Sequence, residues 1–236
     1  MGVGMQQEEP GRSSDWDRGV PTAVIARLPQ LLRILDSAAS RGVDTLSSDD
    51  LARRIDVSSA MVRKDLSILG FSGTRGVGYE VAALRLQIAD VLGLSTDRPV
   101  AIVGMGHLGR ALAAYPGFPA QGFRIAAAFD RDPAIIGSRV GAEGDLVVRH
   151  ESGLERDVAA AEIRMAILTV PPAAAQRVAD RLVAAGVVSL LNFAAVALQV
   201  PPGVQVRRTD IAAELQILAF HARQSTAIGD RATVMA

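Results

Sequence analysis

A glycine-rich segment directly after a short apolar run constrains the fold of this chain more than any other feature. The segment reads Gly104-Met105-Gly106-His107-Leu108-Gly109, and it lies between the apolar run 100–103 and a helical pattern at 108–115. Glycines at these spacings allow a tight turn, the close approach of a pyrophosphate and close packing of helix on strand. The first N–H groups of the helix would hold the phosphates. The sequence therefore predicts a dinucleotide-binding loop, with His107 lining the cofactor.

An acidic residue completes this fingerprint. Asp130 ends the next apolar run, about 20 residues beyond Gly109, where a carboxylate accepts hydrogen bonds from the adenosine ribose hydroxyls. A 2′-phosphate would be repelled there. Arg131 leaves NADP open as an alternative, because an adjacent arginine can accommodate that phosphate. Since Asp130 and Asp132 flank Arg131, we expect the cofactors to be NADH and NAD.

The second part of the chain alternates between apolar runs and helical patterns. Further apolar runs cover residues 125–129, 165–170 and 187–191, and helical patterns cover residues 172–185 and 210–223. Continuous apolar strands separated by helices indicate a parallel sheet that is covered on both faces. The predicted fold class is α/β, with a Rossmann-type domain over residues 99–208, a C-terminal helix over 209–223 and a tail over 224–236.

The first part has the order of a helix-turn-helix. An amphipathic helix is predicted over residues 21–42, followed by a short helix capped by Ser47 or Ser48. Ser58 caps a second helix after a tight turn. This order is typical of DNA-binding domains, in which the second of the two short helices is the recognition helix.

The segment after the recognition helix extends the pattern to a winged helix. Residues 73–78 form a tip rich in glycine, and an alternating strand runs from it to Val81. The predicted winged helix-turn-helix domain covers residues 21–81, and a connecting helix and hinge cover 82–98. Residues 1–20 have no apolar period and are expected to be a disordered leader.

Basic residues concentrate where a recognition helix and wing need them. The chain carries 25 basic and 25 acidic residues. Segment 53–75 nevertheless has five cations against two carboxylates, a net charge of +3. Ser58 and Ser59 are candidates for contacts with phosphates or bases, and Arg63 and Lys64 for base edges in the major groove. Arg75 is the candidate for the minor groove. The alternative is a solvated basic face on an ordinary helical domain.

Composition argues against several kinds of chemistry. The chain has no cysteine, which excludes thiol catalysis and thiolate metal sites. Lys64 is its only lysine, which argues against Tyr-x-x-x-Lys dehydrogenases, Schiff-base enzymes and P-loop ATPases, because all of these require a positioned lysine. None of its three histidines has a convincing catalytic setting. We therefore expect no catalytic residue, no metal and no enzyme, although an NAD-dependent oxidoreductase with an N-terminal helical extension is the open alternative. No apolar run spans a membrane and no signal peptide is evident, so a cytoplasmic location is expected.

These features resemble the Rex family of redox-sensing transcriptional repressors from about Pro21 to Arg223. The motifs that carry the likeness are Val62-Arg63-Lys64-Asp65-Leu66-Ser67, Gly73-Thr74-Arg75-Gly76-Val77-Gly78-Tyr79, the loop 103–112 with 115–118, Ala128-Phe129-Asp130, Ile167-Leu168-Thr169-Val170-Pro171, Leu191-Asn192-Phe193-Ala194, and Asp210 with Glu214-Leu215-Gln216. Two departures are modest: Leu66 stands where members often have Phe, and Ala195 where Pro is frequent.

The resemblance implies a function and a quaternary structure. It implies a homodimer that binds an inverted-repeat operator in double-stranded DNA when NADH is low and dissociates when NADH binds. It also implies that the C-terminal helix is exchanged between the subunits. By the same analogy Arg27 pairs with Asp210 in one state of the protein.

The resemblance also adds site residues to those found from the pattern. On the cofactor side these are Tyr115, Thr169, Val170, Pro171, Asn192 and Asp210. On the DNA side these are Ser67, Gly76 and Tyr79. We expect the discrimination between NADH and NAD to lie in the nicotinamide half of the pocket, at Tyr115, Thr169, Asn192 and Asp210.

Overall fold

The chain forms two compact units. The structure, a computed structural model, describes residues 20–94 and 96–234, and of residues 224–234 only the backbone. One unit ends at Ser95 and the other begins at Thr96. The expected leader lies outside the described residues except for Val20.

The first unit is mainly helical. Within residues 20–94 its elements are α1 (Thr22–Ala39), β1 (Thr45–Leu46), α2 (Ser48–Arg54), α3 (Ser59–Ile68), β2 (Tyr79–Glu80) and α4 (Val81–Val91). Leucines at helical spacing explain α1, because Leu28, Leu31 and Leu35 are fully buried on its inner face. They share one core with residues of α2, α3 and α4. The predicted connecting helix, α4, thus packs within this unit, against α1.

A hairpin follows α3. Thr74 and Gly78 form an antiparallel bridge, and β2 pairs antiparallel with β1. Gly78 has a φ of +109°, and a Cβ there would lie 2.4 Å from the carbonyl oxygen of Leu46, so the turn requires glycine. Strand β2 covers only Tyr79–Glu80 and is shorter than the strand predicted from the glycine-rich tip to Val81. The Glu80 carboxylate accepts hydrogen bonds from the N–H groups of two residues in the next turn, and this cap starts α4 at Val81.

The second unit contains one seven-stranded sheet. Its main elements within the described residues are β3 (Arg98–Val103), α5 (His107–Ala113), β4 (Phe123–Asp130), β5 (Arg139–Val140), β6 (Leu146–His150), α6 (Leu154–Ala160), β7 (Met165–Leu168), α7 (Pro172–Ala184), β8 (Ser189–Asn192), β9 (Gln205–Arg208) and α8 (Ile211–Val234). The strands lie in the order β5-β6-β4-β3-β7-β8-β9. All neighbours pair in parallel except β5 and β6.

This order is that of a dinucleotide-binding fold. Counting only the parallel strands in chain order, the sheet reads 3-2-1-4-5-6. The order reverses between β3 and β7, and ligands of such sheets bind outside the carboxyl ends of the strands at that point. Apolar side chains of the sheet fill separate clusters on its two faces, which explains the continuous apolar runs.

Several elements differ from the prediction. The runs that become β5, β6 and β9 are short and each contains arginine, so they lack the long continuous apolar signal. His150 ends β6, which lies between β5 and β4. Arg98 belongs to β3 rather than to a hinge, because it pairs with Phe123. Helix α8 continues to Val234 instead of ending at 223.

Within the part of the chain that the structure describes, no helix has the length and apolar character to cross a membrane.

Candidate nucleotide cleft and nucleic-acid interface

The glycine loop lies at the point where the strand order reverses. It joins β3 to α5, and the neighbouring β7 ends at Leu168 on the same edge of the sheet. Thr169 fastens the two strand ends together. Its hydroxyl lies 2.6 Å from the carbonyl oxygen of Gly104 and donates to it, and its N–H donates to the carbonyl oxygen of Val103 over 2.9 Å. Thr169 thus fixes the loop from the side of β7.

The three glycines of the loop serve different purposes. Gly104 has a φ of +97°, and a Cβ there would lie 2.7 Å from the carbonyl oxygen of Thr169. A Cβ at Gly109 would lie 2.0 Å from the carbonyl oxygen of Gly104. At Gly106, by contrast, a Cβ would meet no atom within 4 Å. The first and third glycines are required by the packing of the protein itself, whereas the second faces open space in the cleft.

Asp130 connects the loop to the end of β4. Its Oδ2 accepts a hydrogen bond from the N–H of Met105 over 2.6 Å. Its Oδ1 accepts from the N–H groups of Arg131 and Asp132 over 2.6 Å and 2.9 Å. Three backbone donors therefore hold the carboxylate in place at the rim of the cleft before any ligand arrives.

A cleft of about 410 Å³ opens beside this loop. Six predicted residues line it: Gly104, Gly106, Asp130, Thr169, Val170 and Pro171. Three lining residues were not expected from the sequence: Ile135, Glu151 and Ala174. Glu151 directly follows β6, so recognition of the short apolar run at the start of that strand and of its carboxyl end would have found it.

Glu151 is held by two arginines of α7. Its Oε1 lies 3.1 Å from Nη1 of Arg177 and 3.9 Å from Nη1 of Arg181. Arg181 also donates 2.7 Å to the carbonyl oxygen of Glu151 and forms a bidentate pair with Glu155. The hydrogen bonds from Arg181 lower the pKa of Glu155 below its usual range.

Other residues expected at the cofactor contribute differently. Met105 is completely buried, so its side chain belongs to the core and only its backbone faces the loop. His107 begins α5 and is exposed, and Leu108 is partly exposed beside it. Asn192 is completely buried at the end of β8. Its amide donates to the carbonyl oxygen of Val196 and accepts from the N–H of Ala194, so it shapes its own loop.

Two expected cofactor residues lie outside this cleft. Asp210 follows β9 and caps α8 by accepting a hydrogen bond from the N–H of Ala213. It is three strands from β3, or roughly 14 Å at the usual strand spacing. Tyr115 follows α5 and borders a cavity with Asp97 and Phe123, at the amino end of the strands. Helix α5 carries Tyr115 away from the glycine loop, so one chain alone does not place it beside Gly104.

The exposed face of α3 is polar and basic. Arg63, Lys64 and Ser67 lie on one side of the helix and are exposed, together with Ser58 at its cap. Ser59, in the first helical turn, is partly exposed. Nη1 of Arg63 donates to the hydroxyl of Ser48 in α2 over 2.9 Å, which directs the guanidinium toward the start of that helix.

The tip of the hairpin is also exposed. Arg75, Gly76 and Val77 form it, and Gly76 has a φ of +79° with open space around it. Tyr79, in contrast, is 8% exposed and belongs to the core of the unit. Burial raises the pKa of its hydroxyl above the usual range. The structure thus places Tyr79 under the wing rather than on its surface, which favours a packing role.

A buried ion pair fastens α3 to α1. Arg27 donates from Nε and Nη2 to the two carboxylate oxygens of Asp65 over 2.5 Å and 2.9 Å. The Asp65 side chain is only 3% exposed. Because Asp65 is neutralised inside, the surface of segment 53–75 carries five cations against Asp56 alone. In this structure Arg27 therefore pairs with Asp65, whereas the resemblance assigns it to Asp210 in one state.

Among the described residues, no group of three or more His, Asp or Glu side chains is placed to hold a metal ion.

Family models match both parts of the chain. Residues 19–67 match the model described as "Putative DNA-binding protein N-terminus". Residues 95–196 match the model described as "CoA binding domain". The first match covers the helices α1 to α3, and the second covers the sheet up to the loop after β8.

Curated relatives share about half of their residues with this chain. The redox-sensing transcriptional repressor Rex of Streptomyces griseus is 52% identical over 210 residues, covering 89% of this chain and 82% of the relative. The repressor of the same name from Chloroflexus aggregans is 45% identical over 201 residues, covering 85% and 93%.

Solved structures share the fold over nearly the whole chain. The structure of RSP in complex with β-NAD⁺ and operator DNA has a TM-score of 0.83 at 31% identity, covering 91% of this chain and 97% of RSP. The structure of RSP in complex with β-NADH has a TM-score of 0.79 at the same identity, covering 89% and 98%. RSP is a Rex-family repressor.

Proposed function

The chain belongs to the Rex family of redox-sensing transcriptional repressors, and from this premise we propose that it binds operator DNA when NADH is low and dissociates when NADH binds. The observation that carries the proposal is that one chain combines an exposed basic helix and hairpin with an open glycine-loop cleft. The relative RSP has been solved both with β-NAD⁺ and operator DNA and with β-NADH.

We propose that the first unit binds DNA. Its bounds are close to the expected 21–81, but it also includes α4. We assign α3 to the major groove, with Arg63, Lys64 and Ser67 toward the base edges and the α3 cap at Ser58 and Ser59 toward phosphates. Arg75 at the hairpin tip is assigned to the minor groove, with Gly76 allowing its close approach. Five cations on this surface favour a polyanion, although the whole chain is neutral.

The cleft is the nucleotide site of the proposal. We place the pyrophosphate above Gly106, because the open space there and the N–H groups at the start of α5 suit it. Asp130 is placed at the adenosine ribose. The cleft has three carboxylates, Asp130, Asp132 and Glu151, against the single cation Arg131 among its lining residues. This excess of negative charge disfavours the 2′-phosphate of NADP, which supports NADH and NAD as the ligands.

We propose that the protein is a regulator without catalytic turnover. The carboxylates of the cleft are held by backbone N–H groups and arginines. His107 lies in the glycine loop, where we assign it to the lining of the cofactor. His150 accepts a hydrogen bond from the N–H of Ser152 and caps a turn, and His221 packs edge-to-face with Phe220 on α8. No described feature favours the oxidoreductase alternative. Since operators and NADH are encountered in the cytoplasm, we place the protein there.

We further propose that the protein is a homodimer. On α8 the side chains of Ile211, Leu215 and Leu218 recur at helical spacing and are more than half exposed. In the same unit, an apolar cavity of about 370 Å³ opens over β3, β7 and β8. A second copy would cover both surfaces, in keeping with an exchanged C-terminal helix.

Replacement of one apolar residue on α8 tests the dimer. Leu215→Asp places a charge in the proposed interface, so the variant is expected to sediment as a monomer in analytical ultracentrifugation. It should also bind an inverted-repeat operator at least about tenfold more weakly, because one half-site is lost. Glu214→Gln on the same helix is the control and should remain dimeric. A dimeric Leu215→Asp would contradict this role for α8.

A titration of operator binding tests the function itself. In a gel-shift assay with an inverted-repeat operator, the protein is expected to bind without nucleotide and to be released as NADH is added. NAD at the same concentrations should release far less DNA. Operator binding that is unaffected by NADH, together with steady oxidation of NADH in the presence of carbonyl substrates, would favour the oxidoreductase alternative instead.

A further inference from the structure

In the function proposed above, Glu151 adds to the negative charge of the cleft, but no atom of the ligand is assigned to its carboxylate. Glu151 lines the cleft, yet it lies beyond Asp130, on the loop that follows β6. Its side chain is 15% exposed. Of its two carboxylate oxygens, Oε1 pairs with Arg177 and Arg181, and among the described residues no hydrogen bond is formed to Oε2. An acceptor oxygen in a ligand cleft is thus left available.

The position of Glu151 follows from the sheet. Strands β3, β4 and β6 are neighbours, and Asp130 is paired with His150, the residue before Glu151. Neighbouring strands are about 4.8 Å apart, so the end of β6 lies roughly 10 Å from the glycine loop after β3. With the pyrophosphate at the loop and the ribose at Asp130, the base extends across the end of β6. This assignment rests on the proposed nucleotide site.

The chemistry of the base limits what Glu151 can bind. An ionised carboxylate only accepts hydrogen bonds. On the edges of adenine, N1, N3 and N7 are acceptors and the exocyclic amine at C6 is the donor. We propose that Glu151 accepts a hydrogen bond from this amine and so makes the sensor specific for the adenine base.

The arginines of α7 act through Glu151. Arg177 binds Oε1 over 3.1 Å, and Arg181 supports the same residue through its carbonyl oxygen. These contacts orient the carboxylate through Oε1 and leave Oε2 without a hydrogen bond from either arginine. Arg177 and Arg181 are positioning residues, and neither lines the cleft itself.

A nucleotide in which a carbonyl oxygen replaces this amine, and in which N1 carries a proton, tests the proposal. Reduced nicotinamide hypoxanthine dinucleotide carries a carbonyl oxygen where NADH carries the amine, so it presents an acceptor to Glu151. Calorimetric titration of the full chain should show NADH binding about tenfold more tightly, as expected for one charge-assisted hydrogen bond. In Glu151→Gln the amide can donate to that carbonyl oxygen, so the preference should fall to about twofold or less.

A matched variant separates recognition from charge and folding. Glu155 also pairs with Arg181 but does not line the cleft, so Glu155→Gln should keep the tenfold preference. Equal binding of the two nucleotides by the wild type, or an unchanged preference in both Glu151→Gln and Glu151→Ala, would overturn the proposal while leaving the nucleotide site intact. Binding of neither nucleotide would overturn the proposed function as well.

Discussion

The glycines of the loop after β3 show how much information a single residue carries. All three fit the same sequence fingerprint, but the space around each one differs. Gly104 and Gly109 press against backbone carbonyl groups, whereas Gly106 faces an open cleft. The identity of each glycine is explained by what a side chain would meet there, which the spacing alone does not reveal.

Two substitutions in this loop should therefore affect different properties, one the binding of NADH and the other the stability of the fold. Gly106→Val is expected to abolish NADH binding, because a branched side chain takes the place of the pyrophosphate. Its unfolding free energy should change by no more than about 1 kcal/mol, since Gly106 has a φ of −65° and only the helix cap is altered. Gly109→Ala should lose about 2 to 3 kcal/mol of stability, because its Cβ would press on a carbonyl group.

Calorimetry with NADH and urea unfolding check both variants. Operator binding by Gly106→Val should persist and no longer respond to NADH. A Gly106→Val protein that releases DNA at the same NADH concentration as the wild type would show that the nucleotide binds elsewhere.

Substitution of Arg63 tests the assignment of α3 as the recognition helix. If its guanidinium pairs with a guanine edge, Arg63→Ala should weaken operator binding by about 1 to 3 kcal/mol and leave NADH affinity unchanged. Arg85, which pairs with Asp36 across α4 and α1, provides the control because it lies outside the basic segment. Fluorescence anisotropy with operator and scrambled DNA measures the effect. An equal loss on both DNAs would reassign Arg63 to a phosphate contact.

Among the secondary structure elements, α2 shows how local sequence defines a boundary. Ser47 accepts a hydrogen bond from the N–H of Asp50, and the Asp50 carboxylate accepts one from the N–H of Ser47. This capping box decides between the two serines that the sequence offered as caps. The hydrogen bond from the Ser47 hydroxyl lowers the pKa of Asp50 below its usual range.

Because of this cap, the free energy of unfolding is expected to depend on pH in the acidic range. Because the pKa of Asp50 is lower in the folded state, its contribution is present above about pH 4 and is lost as pH falls through the folded value. Ser47→Ala should therefore cost about 1 kcal/mol at pH 6, and its stability should fall less than that of the wild type on acidification. Urea unfolding at several pH values measures this, with Ser40→Ala as a control outside the cap. A wild-type acid dependence retained in Ser47→Ala would contradict the assignment.

The sequence predicted elements with strong local signals and missed those formed by pairing. Amphipathic helices and largely buried apolar strands have such signals, as α1 and β3 do. Strand β9 contains a single apolar residue, Val206, and is formed because it pairs with β8. The cleft follows the same rule: Asp130 belongs to a known spacing, whereas Glu151 joins the cleft only when β6 aligns beside β4.

In the molecule as a whole, two ligands are proposed to act on one chain. NADH can release DNA only if it binds the DNA-free arrangement more tightly than the DNA-bound one. The coupling is reciprocal, so operator DNA must weaken NADH binding by the same factor by which NADH weakens DNA binding. We expect a factor of about 5 to 150, the range of typical couplings. Calorimetric titration of NADH with and without operator measures it, and an NADH affinity unaffected by operator would exclude the switch.

The pair between Arg27 and Asp65 limits how operator preference can be redesigned. A recognition helix is an attractive part to exchange between repressors, yet this one carries a buried carboxylate whose partner lies on α1, outside the exchanged segment. Grafted onto a scaffold without the arginine, the helix would bring an unpaired buried charge at a penalty of about 3 to 5 kcal/mol. Residues 27 and 65 therefore have to be exchanged together, and a library built on α3 alone should keep Asp65 fixed.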